Sequence, residues 1–345
     1  MTRQLLNTLY VQSPDAYVRL DHDTLRVEIE GRNYLQVPLQ HLGAIVLFGN
    51  SMMSPQAMQR CAAEGREITF LDYTGRFRCR VEGPASGNVL LRLAQFTAHG
   101  DALRCLEIAR RIVAAKIRNS RDTLVRWARE AGEERRLRLQ EAAATLAQAV
   151  SGLPGATTLD GLRGAEGDAA SRYFGVFGML LSVPTPEFAF VQRTRRPPRD
   201  RVNATLSFLY SLLTHDCTSA AQGVGLDPQV GFLHALRPGR PALGLDLAEE
   251  FRSGLVDRLV LTLINRRQLR PEHFDVRPEA ADSVLLNEQG RRLVLTAYQK
   301  RKEEGVRHTL LKETVPLGLV LHLQARLLAR HLRGETDAYH PFLFS

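Results

Sequence analysis

The spacing of apolar residues changes once along this chain, at about residue 88, and that change constrains the fold more than any other feature. Residues 16–20 and 25–29 alternate apolar and polar side chains across a polar turn, which predicts a β-hairpin. Residues 68–73 and 77–81 repeat the pattern, and the apolar run 44–48 predicts a buried strand. The beginning of the chain is therefore predicted to be a β-sheet domain.

Helical spacing takes over after residue 88. Between residues 101 and 140, apolar side chains recur every three or four positions and leave the opposite face charged. Residues 83–87, Gly-Pro-Ala-Ser-Gly, have the composition of a linker. We therefore predict the α+β class, with an N-terminal β-rich domain over 1–83, a linker over 84–90, and an all-helical domain over 91–345.

The charge balance of the chain favours a polyanionic partner. Its 345 residues include 46 Lys and Arg against 37 Asp and Glu, and only four of the basic residues are lysines. Guanidinium groups suit phosphate oxygens, although a solvated basic surface would have the same composition. Four cysteines without a Cys-x-x-Cys pair and no apolar run of membrane-spanning length predict a cytoplasmic protein that does not enter a membrane.

Two separate segments each carry one candidate catalytic side chain. Glu166 stands between Ala165 and Gly167, ahead of an apolar run, and we predict that it lies in the first turn of a helix. His234 follows Gly231 and two large apolar residues. Acids are common in first turns and a histidine beside apolar residues is often a core residue, so neither segment identifies a site alone.

A third segment carries several carboxylates close together. Asp246, Glu249 and Glu250 are predicted to begin a long helix and to share one of its faces, since they are three and four residues apart. Carboxylates at that spacing repel each other unless a cation lies between them. Arg252 could supply that charge, and so could a divalent metal ion.

An arginine-rich loop separates the first segment from the other two. Two adjacent prolines disfavour a helix there. The loop carries Arg193, Arg195, Arg196, Arg199 and Arg201.

The ordered motifs resemble a known family. They run Gly-x-Glu-Gly-x-Ala-Ala-x-x-Tyr, Arg-Arg-Pro-Pro-x-Asp-x-x-Asn-Ala, Gly-Leu-Asp-Pro-x-x-Gly-Phe-Leu-His and Leu-Asp-Leu-x-Glu-Glu-Phe-Arg, between residues 164 and 252. This order resembles the CRISPR-associated integrase and endonuclease family that acquires spacers, and its type I-C branch most closely. The strand-rich beginning and the helical remainder agree with that family over essentially the whole chain.

The resemblance implies a metal site. Glu166, His234 and Glu249 would coordinate one Mn²⁺ or Mg²⁺ ion, with Asp246 as a supporting catalytic residue. Many members of the family carry aspartate where Glu249 stands, which leaves the choice between Asp246 and Glu249 as the third ligand open. Tyr173 and Asn203 would shape the site. The arginines between 193 and 201 would bind DNA phosphates.

The resemblance also implies an activity and an assembly. The chain would join the 3′-hydroxyl ends of short DNA fragments to a repeat array by metal-assisted transesterification, and it would also cut DNA. The all-helical domain over 91–345 would be catalytic, and the domain over 1–83 would serve dimerisation. A small dimeric CRISPR-associated partner would join the homodimers into a heterohexamer on double-stranded DNA. Two alternatives remain open on sequence grounds: a non-catalytic DNA-binding scaffold and a general metal-dependent DNase.

Overall fold

The computed structural model describes residues 7–13, 15–73, 75, 77–81, 83, 89–182, 186–277 and 283–344. Strands dominate the beginning of the chain and helices dominate the rest, so the predicted α+β class is confirmed. The elements before residue 84 are β1 (Asn7–Val11), β2 (Tyr17–Asp21), β3 (Thr24–Ile29), β4 (Arg32–Pro38), β5 (Leu42–Phe48), β6 (Met52–Met53), α1 (Pro55–Ala63), β7 (Glu67–Leu71) and β8 (Phe77–Val81).

The later elements are mainly helices. They are α2 (Val89–Gly100), α3 (Ala102–Ala128), α4 (Glu133–Gly152), α5 (Leu159–Gly175), α6 (Arg201–Val224), α7 (Ala242–Glu249), α8 (Arg258–Asn265), β9 (Phe274–Arg277), β10 (Ser283–Leu286), α9 (Glu288–Glu303), β11 (Gly305–His308), β12 (Glu313–Pro316) and α10 (Leu317–Leu332). Strands β9 and β10 pair with each other, as do β11 and β12. The region after residue 91 is therefore mostly helical, but it also contains strands β9 to β12. The prediction of an all-helical domain was wrong in this respect.

The strands before residue 84 form two sheets. Their orders are β1-β5-β7-β8 and β4-β3-β2-β6. Both predicted hairpins are present, because β2 pairs antiparallel with β3 and β7 pairs antiparallel with β8. Strand β5 lies between two parallel neighbours, which explains why its sequence is a continuous apolar run rather than an alternating one.

Contacts along the chain group it into two units. One comprises Met1–Ser86 with Leu286–Glu303, and the other comprises Gly87–Leu285 with Glu304–Ser345. Helix α9 belongs to the first unit, where Gln299 Nε2 donates a hydrogen bond of 3.3 Å to the Thr8 carbonyl. A single boundary in the sequence does not describe this grouping. Most of the proposed linker lies at 84–88, outside the described residues, and the dimerisation role of the first domain stays a prediction.

Helix α3 is the central element of the second unit. Asp101 caps it by accepting hydrogen bonds from the backbone N–H groups of Leu103 and Arg104. Apolar residues along its length, such as Ile108, Ile112 and Leu124, are fully buried. The helix is therefore a fixed support for the one polar side chain, Lys116, that it directs toward the acids described next.

Candidate active site

Four charged or ionisable side chains from three helices and one loop lie together in the second unit. Lys116 comes from α3, Glu166 from α5, and Glu249 is the last residue of α7, while His234 lies in the irregular segment between α6 and α7. Three of these four were candidates from the sequence. The geometry therefore brings together residues that are spread from position 116 to position 249 of the chain.

Glu166 reaches this cluster from the middle of α5. The helix begins at Leu159 because the Thr158 hydroxyl caps it and accepts a hydrogen bond from the Gly161 N–H at 3.1 Å. The prediction of a first-turn position for Glu166 was wrong, since the helix starts well before the glycine-rich motif. The charge of Glu166 is balanced by a side chain and not by the helix N-terminus.

Lys116 forms ion pairs with both glutamates. Its Nζ lies 2.7 Å from Oε2 of Glu249 and also contacts Oε1 of Glu166. The ammonium group thus lies between two carboxylates that would otherwise repel each other. A positive charge at this point is what the pair of acids requires, whether a lysine or a metal ion supplies it.

Glu249 is held in its ionised form. Burial alone would raise the pKa of this carboxyl, but the positive charges of Arg252 and Lys116 lower it to about 2. The Arg252 guanidinium lies 3.1 Å from Oε1 of Glu249. The neutralising role that the sequence left open for Arg252 is therefore observed at Glu249. At neutral pH this carboxylate is available as an anionic ligand.

Asp246 supports His234. Its carboxylate accepts hydrogen bonds from the backbone N–H groups of Phe232, Leu233 and His234, at 2.5, 3.0 and 3.0 Å. A fourth contact of 2.7 Å joins Oδ1 to Nδ1 of the His234 ring. Because Nδ1 donates to Asp246, the lone pair lies on Nε2, which is 3.8 Å from Oε1 of Glu249. Asp246 therefore orients the imidazole, and all of its oxygens are in use.

Gly231 allows this arrangement. A Cβ at this position would lie 2.6 Å from Asp246 Oδ2 and 2.7 Å from the carbonyl carbon of Ala242. Any side chain there would push the loop away from α7. In the Gly-Phe-Leu-His motif, Gly231 thus lets the backbone approach α7 closely. That approach brings His234 within hydrogen-bonding distance of Asp246.

The three acids of the Asp-Leu-x-Glu-Glu motif face different surroundings. Asp246 and Glu249 face His234, whereas Glu250 accepts hydrogen bonds from the Phe342 N–H at 2.8 Å and from Gln324 Nε2 at 3.0 Å. The acids lie at the end of α7, where a π-helical segment, Arg252–Asp257, follows. The prediction that they begin a long helix was wrong, because α7 starts at Ala242. The predicted shared face holds for Asp246 and Glu249 but not for Glu250.

Two tyrosines and a buried aspartate lie behind Glu166. The hydroxyl groups of Tyr173 and Tyr210 donate to the two oxygens of Asp257, at 2.9 and 2.5 Å. Burial raises the pKa of Asp257 to about 6, and the two hydroxyl groups oppose that shift. These three residues line a cavity of about 20 Å³ together with Lys116 and Glu166. Tyr173 therefore lies where a site-shaping residue is expected, although that role stays a prediction.

Asn203 organises the arginine loop. Its Oδ1 accepts from the Arg193 guanidinium at 2.6 Å and from the Thr194 N–H at 3.0 Å, and its Nδ2 donates to the Gln192 carbonyl. These hydrogen bonds connect the start of α6 to residues 192–194 of the preceding loop. Asn203 shapes the loop and does not contact the acids.

The five arginines of the loop fall into two groups. Arg193 is tethered to Asn203 and Ser207 and lies over the Tyr210 ring, and Arg201 donates to the Glu187 carbonyl at 2.9 Å. Arg195, Arg196 and Arg199 are exposed, and Arg195 lines the cavity beside Glu166. Phosphate binding by the loop stays a prediction, and the geometry favours the exposed group for it.

A metal ion at the cluster is consistent with its donor chemistry. The carboxylate oxygens of Glu166 and Glu249 suit Mn²⁺ and Mg²⁺, and the His234 imidazole would add one nitrogen donor. In the part of the chain that the structure describes, however, no three His, Cys, Asp or Glu side chains converge as a metal-binding group. Lys116 provides the positive charge between the two glutamates instead.

Sequence reasoning missed three residues of this region: Lys116, Tyr210 and Asp257. For Lys116 a signal was present. Only four lysines occur among 46 basic residues, and this one interrupts the apolar stretch between residues 112 and 117. A lysine on the buried side of a helix needs an anionic partner.

Comparison with known proteins identifies the family. The family model described as CRISPR associated protein Cas1 matches residues 9–300. The chain belongs to the Cas1 family. It is 52% identical over 341 residues to a CRISPR-associated endonuclease Cas1 of Moorella thermoacetica, with 99% of both sequences covered.

Solved structures agree with this assignment. The Cas1 protein TM1797 of Thermotoga maritima has a TM-score of 0.82 at 26% identity, with 96% of this chain and 99% of that chain covered. A chain of a partial Cas6-RT-Cas1–Cas2 complex has a TM-score of 0.67 at 25% identity, with 99% of each chain covered. The family resemblance and the mixed fold are confirmed, and the type I-C assignment stays a prediction. Among the described residues of this Cas1-family chain, no helix is long and apolar enough to cross a membrane.

Proposed function

We propose that this Cas1-family chain is a metal-dependent DNA integrase and endonuclease of CRISPR adaptation. It would join the 3′-hydroxyl ends of short DNA fragments to the repeat array. The observation that carries the proposal is that Glu166 and Glu249 both pair with the Lys116 ammonium, while Nε2 of His234 lies 3.8 Å from Oε1 of Glu249. A relative that is 52% identical over almost the whole chain and is named as an endonuclease supports the same activity.

Glu166, His234 and Glu249 would hold the ion. A bound Mn²⁺ or Mg²⁺ ion would polarise the phosphodiester and stabilise the negative charge that builds up on it during transfer. The protein prepares these ligands in advance, since Arg252 and Lys116 keep Glu249 ionised and Asp246 keeps the His234 Nε2 lone pair turned toward Glu249. A cation entering between the glutamates would compete with Lys116 for the same oxygens.

The DNA would lie against the exposed arginines. Arg195 lines the cavity beside Glu166, so a phosphate that it binds would lie close to the acids. Arg196 and Arg199 extend the same positive surface along the loop. We assign Arg193 and Arg201 to holding the loop, because their guanidinium groups are already hydrogen-bonded within the protein.

We also propose that the chain forms homodimers that a small dimeric partner, Cas2, joins into a heterohexamer. The support is the likeness to a chain of a complex whose name contains both Cas1 and Cas2. The cytoplasm is the proposed location, because the DNA that the assembly acts on is found there.

A strand-transfer assay tests the catalytic proposal. The protein and its partner are incubated with labelled short duplex DNA, a repeat-bearing plasmid and either Mn²⁺ or Mg²⁺. We expect joined products from the wild type and a loss of at least about 100-fold in Glu166→Gln, His234→Ala and Glu249→Gln, because each change removes a metal ligand. Asp160→Asn, which changes an exposed acid of the same helix as Glu166, is the matched control.

The outcomes separate the proposal from its two rivals. Joining that persists in the three variants contradicts the metal site. Binding of DNA without joining or cutting under any metal would identify a scaffold, whose affinity would follow the salt dependence of arginine contacts alone. Cutting of unrelated DNA without joining would identify a general DNase.

A further inference from the structure

A second concavity lies on the other side of α3 from Lys116. Residues 111, 114 and 118 line it, and each is separated from position 116 by more than about 120° around the helix. Its volume is about 500 Å³, within the range of sites that bind drug-sized ligands. The loop after α4 and the segments near residues 310 and 341 form its other walls. We call this concavity the α3 groove.

The walls of the α3 groove combine positive charge with aliphatic surface. Arg110, Arg111 and Arg118 contribute guanidinium groups, and Arg118 is exposed. Leu310, which has 47% of its surface exposed, contributes with Leu153 and Leu343 an apolar surface. Among the described residues that line the groove, none is acidic and none is Phe, Tyr or Trp. Arg111 pairs with Glu107 at 3.2 Å and Arg110 donates to the Ala156 carbonyl, so the exposed Arg118 is the arginine of the groove best placed to pair with a ligand.

These properties favour one class of occupant. Single-stranded nucleic acid is usually bound by several aromatic side chains on which successive bases stack, and the described lining provides one ring, that of His340. Aliphatic side chains beside guanidinium groups instead match a peptide that carries leucine-like side chains and carboxylates, since arginine pairs with a carboxylate through two parallel hydrogen bonds. We propose that the α3 groove docks an acidic, aliphatic segment of a partner protein.

The groove is also connected to the acids of the candidate active site. The C-terminal segment 339–344 lines the groove with His340, Pro341 and Leu343. Its remaining side chains, Tyr339, Phe342 and Phe344, are buried. A ligand in the groove would therefore contact a segment whose buried side is hydrogen-bonded to Glu250, the residue that follows Glu249.

The hydrogen bonds of that segment provide a local probe. The Phe342 N–H donates to Glu250 at 2.8 Å, and the Phe344 N–H donates to Asn119 on α3 at 2.9 Å. A bound peptide would restrict opening of the segment, and we expect these two amides to exchange with solvent several-fold more slowly when the groove is occupied. Slower exchange there would place the peptide at the groove and not elsewhere on the basic surface.

Fluorescence anisotropy with the full-length protein tests the proposal. The probe is a labelled octapeptide of alternating Leu and Glu, compared with the same peptide carrying Gln in place of Glu and with a labelled oligothymidylate. We expect the Glu peptide to bind at least about tenfold more tightly than the Gln peptide, because only the former pairs with the arginines. Arg111→Glu combined with Arg118→Glu should abolish this preference, and Leu310→Ser should weaken binding several-fold.

Matched controls come from neighbouring residues outside the groove. Arg121→Glu changes another arginine of α3, and Leu311→Ser changes the exposed leucine next to Leu310. Both should bind the Glu peptide as the wild type does. The proposal is overturned if the two peptides bind equally, if the groove variants bind like the controls, or if Phe342 and Phe344 exchange is unchanged. Loss of oligothymidylate binding alone in the groove variants would also overturn it, and would identify a nucleic-acid track.

Discussion

At the scale of single residues, Lys116 decides whether the two glutamates can lie side by side. Its ammonium group contacts Glu166 and Glu249, and the latter is 2% exposed. A buried carboxylate without a counter-charge is strongly unfavourable. Lys116 is therefore both a structural counter-ion and, under the proposed function, a competitor of the metal ion.

Substitution of Lys116 tests this double role. In Lys116→Met we expect the free energy of unfolding to fall by about 2 kcal/mol without metal, because the carboxylates lose part of their compensation. Mn²⁺ should restore more stability to this variant than to the wild type, since the competing ammonium group is gone. Urea unfolding with and without Mn²⁺ measures both effects. Lys300→Met, at an exposed position, should behave as the wild type; the same behaviour in Lys116→Met would contradict the role.

Neutral substitutions of Asp246 and Glu249 should weaken Mn²⁺ binding to different extents. Asp246→Asn leaves the proposed ligands in place but disturbs the His234 ring, so we expect Mn²⁺ to bind about 10- to 100-fold more weakly. Glu249→Gln should abolish Mn²⁺ binding altogether, because it removes a ligand. Isothermal titration calorimetry distinguishes the two. If Asp246→Asn abolished binding while Glu249→Gln kept it, the assignment of ligand and support would be reversed.

At the scale of elements, the end of α7 is held by a segment from the far end of the chain. Glu250 follows Glu249 directly and accepts hydrogen bonds from Phe342, Gln324 and the Tyr339 hydroxyl. Gly254 packs against the Phe344 ring, where a Cβ would lie 2.2 Å from Cδ2. The π-helical turn after α7 therefore depends on the C-terminal segment for its packing.

Removal of one hydroxyl group measures this dependence. Tyr339→Phe leaves the ring in place but removes a donor to the buried Glu250 carboxylate, and we expect a loss of about 1–2 kcal/mol in the free energy of unfolding. Tyr34→Phe is the control, because that side chain is 65% exposed. Chemical denaturation of both variants gives the comparison. Equal stability of the two would show that the segment does not hold α7.

At the scale of the whole molecule, the buried cluster around Asp257 makes stability depend on pH. Its pKa is raised from 3.8 to about 6, chiefly by burial. The folded protein therefore keeps a proton that the unfolded chain has lost between these two values. This contribution to stability is complete below pH 4 and disappears as the pH rises through 6.

Asp257→Asn isolates that contribution. Between pH 4 and pH 6.5 the wild type should lose up to about 3 kcal/mol relative to the variant, whose side chain does not titrate. Thermal or urea unfolding at several pH values measures the difference, and Asp160→Asn at an exposed site controls for the substitution itself. A constant difference between wild type and Asp257→Asn across this range would contradict the shifted pKa.

Much of this fold could be predicted because its signals are local. Apolar spacing located the hairpins β2–β3 and β7–β8 and the buried strand β5. The start of α5 was missed because Thr158 caps it upstream of the conspicuous Gly-x-Glu-Gly motif. The grouping of α9 with the strands was missed because that packing involves residues far apart in the sequence.

The sequence by itself determined the α+β class, the family and three of the four side chains that meet at the candidate active site, because ordered motifs and periodicity are properties of neighbouring residues. Only the tertiary structure decided that Asp246 orients His234 while Glu249 faces Glu166, and that Lys116 supplies the charge between the acids. Asp246 and Glu249 stand one helical turn apart, and spacing alone makes them equivalent. The backbone N–H groups that surround Asp246 come from a separate loop, and they distinguish the two acids.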